Sequence, residues 1–197
     1  MRPLSSCRRL GQLRAWAGVV LVLVGIFITL PSASGQTYYT PRTVLARFFP
    51  ASQRVTYRRF DLTPEVRGKL AQKLGAALPK DGYVFYYALT GETLDGYALI
   101  DESMGQYMPI TYAIKFSPQG VVQQLEIMVY RENYGSEVTD ARFRKQFVGK
   151  TVADPLMLEG DITAVSGATI SSRALTGGLR RALVLLSELV LNKPAPH

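Results

Sequence analysis

The centre of the sequence constrains the fold most, because it reads as successive β-strands separated by short turns. Residues 83–90 are aromatic and β-prone, and residues 94–100 follow them after a Gly-Glu turn. In the next two segments, apolar side chains alternate with other residues, which is typical of strands with one buried face. These apolar residues are Ile110, Tyr112, Ile114 and Phe116, then Leu125, Ile127 and Val129. Residues 117–120 (Ser-Pro-Gln-Gly) fit a type I turn between the two segments, so the pattern predicts an antiparallel meander.

Helical patterns lie on both sides of these strands. Thr40 and Thr63 each precede a proline, a pairing that predicts a capped helix start. Residues 173–191 carry apolar side chains at helical spacing, with Ser171 or Ser172 as the expected N-cap. Strands grouped between helices predict an α+β fold rather than a doubly wound parallel sheet. We expect a helical N-terminal part over residues 36–80 and the main domain over residues 81–192.

Residues 1–35 read as a signal peptide or an N-terminal membrane anchor. Four arginines precede an uncharged apolar run over residues 15–30, and small residues follow at positions 33–35. These 16 apolar residues would span about 24 Å as a helix, short of the roughly 30 Å hydrocarbon core. Cleavage and retention both stay open. In either case the basic flank remains cytoplasmic, which predicts an extracytoplasmic domain, periplasmic or at the cell surface.

Charge and composition exclude several functions for the exported part. Removing residues 1–35 takes away four arginines and no acid, so the formal net charge falls from +8 to +4. An exported, mildly basic domain is a poor candidate for binding nucleic acid. Cys7 is the one cysteine and His197 the one histidine of the chain. The mature domain therefore lacks a disulfide, a Cys/His metal site and the groups of common hydrolase triads. Redox activity would need an organic cofactor.

Small and hydroxyl residues crowd residues 166–172 (Ser-Gly-Ala-Thr-Ile-Ser-Ser), directly before the last helical pattern. Backbone N–H groups at a helix N-terminus can hold an anion, and phosphate is the usual one. Thr169 places a hydroxyl at this point. Residue types alone also fit a simple turn and cap.

Two earlier segments also carry motifs. Residues 130–135 (Tyr-Arg-Glu-Asn-Tyr-Gly) end the meander, where Gly135 permits a close backbone approach or a positive φ. Residues 143–150 (Phe-Arg-Lys-Gln-Phe-Val-Gly-Lys) place Phe143 and Phe147 on one helical face, which indicates packing.

Taken in chain order, residues 130–135, 143–150 and 166–172 resemble the signature of the FMN-binding domain family. That family includes the flavin-carrying subunits of the Rnf and sodium-pumping NADH:quinone oxidoreductase complexes. The resemblance implies that a flavin transferase splits FAD, esterifies FMN to the hydroxyl of Thr169 and releases AMP. It also implies that Glu132, Tyr134 and Gly135 line the flavin pocket, and that neighbours of Thr169 hold the phosphate. These neighbours are Ser166, Gly167, Ala168, Ser171 and Ser172.

One position departs from the family's pattern. Many members have an aspartate three residues before the first serine of the last segment, and the transferase is thought to read it. Thr163 stands there in this chain, and the nearest acid is Asp161, two residues further upstream. Three alternatives follow: Asp161 substitutes, the transferase tolerates threonine, or FMN is held without a covalent bond.

The resemblance predicts a flavoprotein that transfers electrons through FMN, with no catalytic residue and no metal ligand of its own. We expect an electron carrier rather than a stand-alone enzyme. Three hypotheses stay open: a free extracytoplasmic carrier, a subunit of an Rnf-like membrane oxidoreductase, or an exported binding domain that has lost flavin. The expected partners are a flavin transferase and membrane or extracytoplasmic redox proteins.

Overall fold

A six-stranded antiparallel sheet organises residues 35–191, the part of the chain that the computed structural model describes. Its strand order is β1-β6-β5-β4-β3-β2, so β2 to β6 form a meander and β1 adds a short outer strand. The strands are β1 (Gln36–Thr37), β2 (Arg54–Asp61), β3 (Gly82–Thr90), β4 (Thr93–Met104), β5 (Pro109–Phe116) and β6 (Val122–Tyr130). The predicted α+β fold with a central meander is therefore confirmed. The expected signal peptide or anchor lies outside the described residues.

In the described part of the chain four α-helices accompany the sheet, namely α1 (Pro41–Phe48), α2 (Pro64–Leu74), α3 (Ala141–Lys145) and α4 (Thr169–Leu186). The two predicted Thr-Pro starts are confirmed, since the Thr40 and Thr63 hydroxyls accept backbone N–H groups of the first helical turn. Helix α4 continues into a π-helical turn, Ser187–Leu191. Within residues 35–191, we find no helix that combines the length and apolar character needed to cross a bilayer.

The two faces of the sheet bury different side chains. Helices α2 and α4 cover one face, where aromatic and aliphatic residues of β3 to β6 form the larger cluster. Helix α1 covers the other face with a smaller cluster built from Val44, Phe48 and three strand alanines. Since residues of β2 belong to the same sheet, residues 36–80 supply strands as well as helices.

A β-bulge in β6 turns its last residue toward α4. Thr111 pairs with Val129, but the next residue of β5, Tyr112, pairs with Ile127, so Met128 has no opposite partner. Val129 therefore packs on the α1 face, and Tyr130 joins the α4 side of the sheet. The expectation that Val129 shares a face with Leu125 and Ile127 is wrong, because alternation stops at the extra residue.

Strand β2 forms one outer edge of the sheet and is exposed along most of its length. Three of its eight residues are arginines, Arg54, Arg58 and Arg59. Arg58 lies over the ring of Phe60, and Arg59 pairs with Asp61 at 2.7 Å. This edge therefore presents positive charge on both faces of the strand.

Candidate functional site

Helix α4 begins at Thr169, so the prediction of Ser171 or Ser172 as its N-cap is wrong. Ala168 occupies the N-cap position, and no side chain caps the helix there. The two serines are committed elsewhere: Ser172 Oγ accepts the Val165 N–H at 3.2 Å, and Ser171 Oγ lies 3.0 Å from Tyr130 Oη. The N–H groups of the first turn are consequently left for an external acceptor, as an anion would provide.

A cavity of about 250 Å³ opens at this end of α4. It brings together residues from the loop after β6, the loop before α4 and the first turn of α4. The lining includes seven of the predicted binding residues, namely Glu132, Tyr134, Gly135, Gly167, Ala168, Thr169 and Ser171. The other two lie elsewhere: Ser166 lines a neighbouring cavity, and Ser172 is buried inside the protein.

Gly135 lies in one wall of this cavity, at a point where a side chain would not fit. Its φ is +82°, and a Cβ at this position would lie 2.9 Å from Tyr130 Oη and 3.0 Å from Ser171 Oγ. Tyr130 Oη also donates to the carbonyl oxygen of Tyr134. Burial raises the pKa of Tyr130, so its hydroxyl stays protonated and keeps both contacts. This corner fixes the loop 131–135 against the start of α4.

Glu132 holds the loop between β4 and β5 in place. Its Oε1 accepts the backbone N–H of Tyr107 at 2.7 Å and that of Met108 at 3.1 Å. These bonds hold the loop so that Gln106 lines the cavity. Ile170, in the first turn of α4, lines it as well. The sequence did not predict Gln106 as a lining residue. The position of its loop depends on the bond between Tyr107 and Glu132, and no local pattern indicates a contact between residues about 25 positions apart.

The segment of residues 143–150 positions the loop that precedes α4. Gln146 makes a pair of bonds to the backbone of Thr163, accepting its N–H at 2.8 Å and donating to its carbonyl oxygen at 3.1 Å. Lys150 Nζ bonds Asp161 Oδ2 at 2.8 Å, and Asp161 Oδ1 accepts the Met157 N–H at 2.7 Å. Asp161 is therefore engaged within the loop, which weighs against its serving in place of the missing aspartate.

The donors and spaces of this site fit the phosphate end of a nucleotide-like cofactor. The exposed Thr169 hydroxyl lies beside uncapped N–H groups at the start of α4. Gly167, in the preceding loop, has a φ of +79°, a conformation that favours glycine over residues with a side chain. Within residues 35–191, no group of three or more His, Cys, Asp or Glu residues is arranged to bind a metal ion.

Part of the chain that includes this cavity matches a known family. Residues 105–184 match the family model described as the FMN-binding domain, and every lining residue of the cavity lies within that span. The resemblance predicted from the three sequence segments is confirmed.

Two solved structures are similar to this chain. NqrC of Shewanella oneidensis has 16% identity and a TM-score of 0.46, over 73% of this chain and 80% of the other. A subunit of the Na(+)-translocating NADH-quinone reductase from Parabacteroides distasonis has 14% identity and a TM-score of 0.42, over the same shares. No curated protein sequence matches significantly.

Proposed function

We propose that this chain is an exported flavoprotein that carries FMN esterified to Thr169 and transfers electrons. One observation carries the proposal: the exposed Thr169 hydroxyl lies at the uncapped start of α4, inside a cavity lined by residues of the loop after β6. The match of residues 105–184 to the FMN-binding domain supports FMN as the ligand.

Each part of the site has a distinct role under this proposal. The first-turn N–H groups of α4 and the helix dipole would neutralise the phosphate. Glu132 keeps the β4–β5 loop against the cavity, and Tyr130 keeps Gly135 close to Ser171. When bound, FMN supplies the electron transfer, which protein side chains of this kind do not provide.

Attachment to Thr169 would depend on a flavin transferase. A threonine hydroxyl does not displace a phosphoryl group unaided, and residues 35–191 contain neither a histidine nor a cysteine to activate it. Phosphoryl transfer relies on positioning and metal-ion charge, which a separate Mg²⁺-dependent enzyme would bring to the exposed loop.

The surface around the cavity supports docking to a redox partner. Tyr134 is 81% exposed and Tyr107 is 73% exposed, and both lie at or beside the cavity. Large apolar side chains grouped at a functional cavity favour protein contacts. We propose a membrane or extracytoplasmic redox protein as the partner. N-terminal sequencing of the mature protein would separate a free carrier, cleaved near residue 35, from an anchored subunit of a membrane complex.

The test is the intact mass and denaturing-gel fluorescence of protein from cells with an active flavin transferase. We expect the wild type to gain the mass of FMN less water and to fluoresce after denaturation. Thr169→Ala should lose both signals, because it removes the esterified oxygen. Thr93→Ala, at the exposed first residue of β4 and away from the cavity, serves as the matched control and should keep both signals.

Two other outcomes have definite meanings. An unmodified mass with yellow colour lost on denaturation would show non-covalent FMN and refute esterification. A colourless protein that also fails to take up added FMN would refute flavin binding and favour a domain that has lost its cofactor.

A further inference from the structure

A second and larger cavity, about 580 Å³, lies further along α4. One wall is the exposed side of the second and third turns of α4, around Arg173 and Gly177. The segment before β3 and the tip of the β4–β5 hairpin, with Met104 and Pro109, form the other walls. The hairpin tip also supplies Gln106 to the first cavity, so the two cavities flank the same loop.

Positive charge is concentrated at this second cavity. The Asp101 carboxylate is fully buried and is shared by two cations, Lys80 Nζ at 2.8 Å and Arg181 Nη2 at 2.8 Å. Arg181 is held further by the Glu102 carbonyl oxygen and the hydroxyls of Ser103 and Tyr112.

The charges around this cavity do not cancel. The buried Asp101 carboxylate balances one of its two cations, and Glu102, 3.6 Å from Lys80, balances the other. Arg173 adds a third cation at the exposed wall. The cavity therefore favours a ligand that carries or develops negative charge.

Two adjacent glycines in α4 differ in what surrounds them. A Cβ at Gly178 would overlap Tyr112 Oη and Ser103 Oγ, so packing of α4 against the sheet accounts for that glycine. A Cβ at Gly177 would meet nothing within 4 Å. Glycine destabilises a helix relative to alanine, and among residues 35–191 no contact explains the glycine at position 177. Gly177 leaves flat, open space on the cavity wall.

The second cavity lies within reach of a cofactor tethered at Thr169. Thr169, Arg173 and Gly177 follow each other at i, i+4 and i+8 on one side of α4. The helical rise separates Thr169 from the other two by about 6 and 12 Å along the axis. The first cavity, at about 250 Å³, is smaller than the roughly 300 Å³ that ligand pockets usually need. A ligand of the size of FMN would therefore extend beyond the first cavity.

We infer that the isoalloxazine ring of FMN lies against Gly177 in this second cavity, with its pyrimidine edge toward Lys80, Arg173 and Arg181. The inference rests on the proposed function and deepens it. The reduced ring carries negative charge on its pyrimidine half, so the three cations stabilise the reduced form over the oxidised form and raise the midpoint potential of the flavin.

The experiment compares Gly177→Leu with Gly68→Leu, both loaded with FMN in cells with an active transferase. Gly68 is the matched control, because it is also an exposed helical glycine with nothing within 4 Å. We expect Gly177→Leu to keep the tethered mass but to show brighter flavin fluorescence and a lower midpoint potential than the wild type. Gly68→Leu should match the wild type in both.

A second variant, Lys80→Gln, tests the inference even if Gly177→Leu fails to fold. Lys80→Gln should lower the midpoint potential at unchanged flavin content, whereas Arg180→Gln, at an exposed position of α4 outside the cavity lining, should leave it unchanged. The inference is overturned if flavin-loaded Gly177→Leu and Lys80→Gln both keep the wild-type potential and fluorescence; the proposed function would then stand. A wild type without flavin would overturn the proposed function and this inference together.

Discussion

At the scale of single residues, Thr163 is held in the loop before α4 through its backbone alone. Both of its bonds to Gln146 use the peptide N–H and carbonyl oxygen, and its side chain is exposed. A different side chain at this position therefore leaves the loop geometry unchanged. Any effect of Thr163 on flavin attachment would act through recognition of the exposed side chain.

We expect Thr163→Asp to raise the fraction of protein that carries covalent FMN, since it restores the acid found in many family members. Thr163→Asn is the control, because it has the same shape without the charge. The measurement is the ratio of modified to unmodified intact mass after a fixed expression time. Equal ratios for both variants and the wild type would contradict a role for the carboxylate.

Glu132 shows which part of the site the sequence could and could not predict. The family resemblance predicted it as a lining residue, and the structure places it at the cavity. Its bonds to Tyr107 and Met108, and hence the place of Gln106, depend on a hairpin tip about 25 residues away. The contact between Ser171 and Tyr130 spans 41 residues. Such distant pairs leave no periodic pattern in the sequence.

At the scale of elements, the loop 151–161 is held by acidic side chains with lowered pKa values. The hydrogen bond from Lys150 is the main cause that lowers the pKa of Asp161, and the Thr151 backbone N–H does the same for Asp154. A lowered folded-state pKa contributes stability above the unfolded value of about 3.9, and this stability is lost as pH falls through the folded value. Asp161 in turn raises the pKa of Lys150, so that contribution is present below about pH 10.4 and is lost as pH rises further.

We therefore expect Asp161→Asn to melt at a lower temperature than the wild type near neutral pH. The amide still accepts the Met157 N–H but cannot pair with the Lys150 charge. The difference should shrink as pH falls below the unfolded value of about 3.9, and it should disappear only below the lowered folded-state pKa of Asp161, where the wild-type carboxyl is also protonated. Melting curves from pH 2 to 8 measure it, with Glu92→Gln at an exposed turn as the control. A difference that persists at low pH would show that charge is not the cause.

Replacement of glycine by alanine should change the free energy of unfolding in opposite directions at Gly177 and Gly178 of α4. Gly178→Ala should destabilise the flavin-free protein by about 1–3 kcal/mol, because the added methyl forces Tyr112 and Ser103 to move. Gly177→Ala should stabilise it by up to about 1 kcal/mol, because the methyl meets no neighbour and helix propensity improves. Urea denaturation of both variants measures the two effects. Equal signs would refute the packing explanation.

Elements set by local signals were predictable, and those set by distant contacts were not. The Thr-Pro helix starts depend on bonds within one turn, and both are found where the sequence placed them. Helix α4 starts at Thr169, earlier than predicted, because Ser171 and Ser172 bond to Tyr130 and Val165 rather than capping the helix. The β6 bulge likewise depends on pairing with β5.

At the scale of the whole molecule, Asp101 joins α4 to the sheet. Its carboxylate in β4 binds Arg181 of α4 and Lys80 just before β3. The side chain is 0% exposed, whereas Asp81, which pairs with Arg67, is 83% exposed. These two ion pairs allow a direct comparison of a buried pair with a solvated one.

We expect Asp101→Asn to cost about 3–5 kcal/mol, because it leaves Arg181 partly buried without a counter-charge. Asp81→Asn should cost at most about 1 kcal/mol, since water screens that pair. Chemical denaturation of the two variants gives the comparison. A small loss for Asp101→Asn would show that the hydroxyls and the Glu102 carbonyl oxygen hold Arg181 sufficiently.

The arginine-rich outer strand β2 has a consequence for the behaviour of the protein in concentrated solution. An outer strand offers unpaired backbone groups to a second sheet, and repulsion between like charges opposes that pairing. Arg54 and Arg58 lie on one side of the strand and Arg59 on the other. Polyanions or high salt would screen this repulsion, so colloidal stability at this edge depends on ionic strength rather than on the packing of the core.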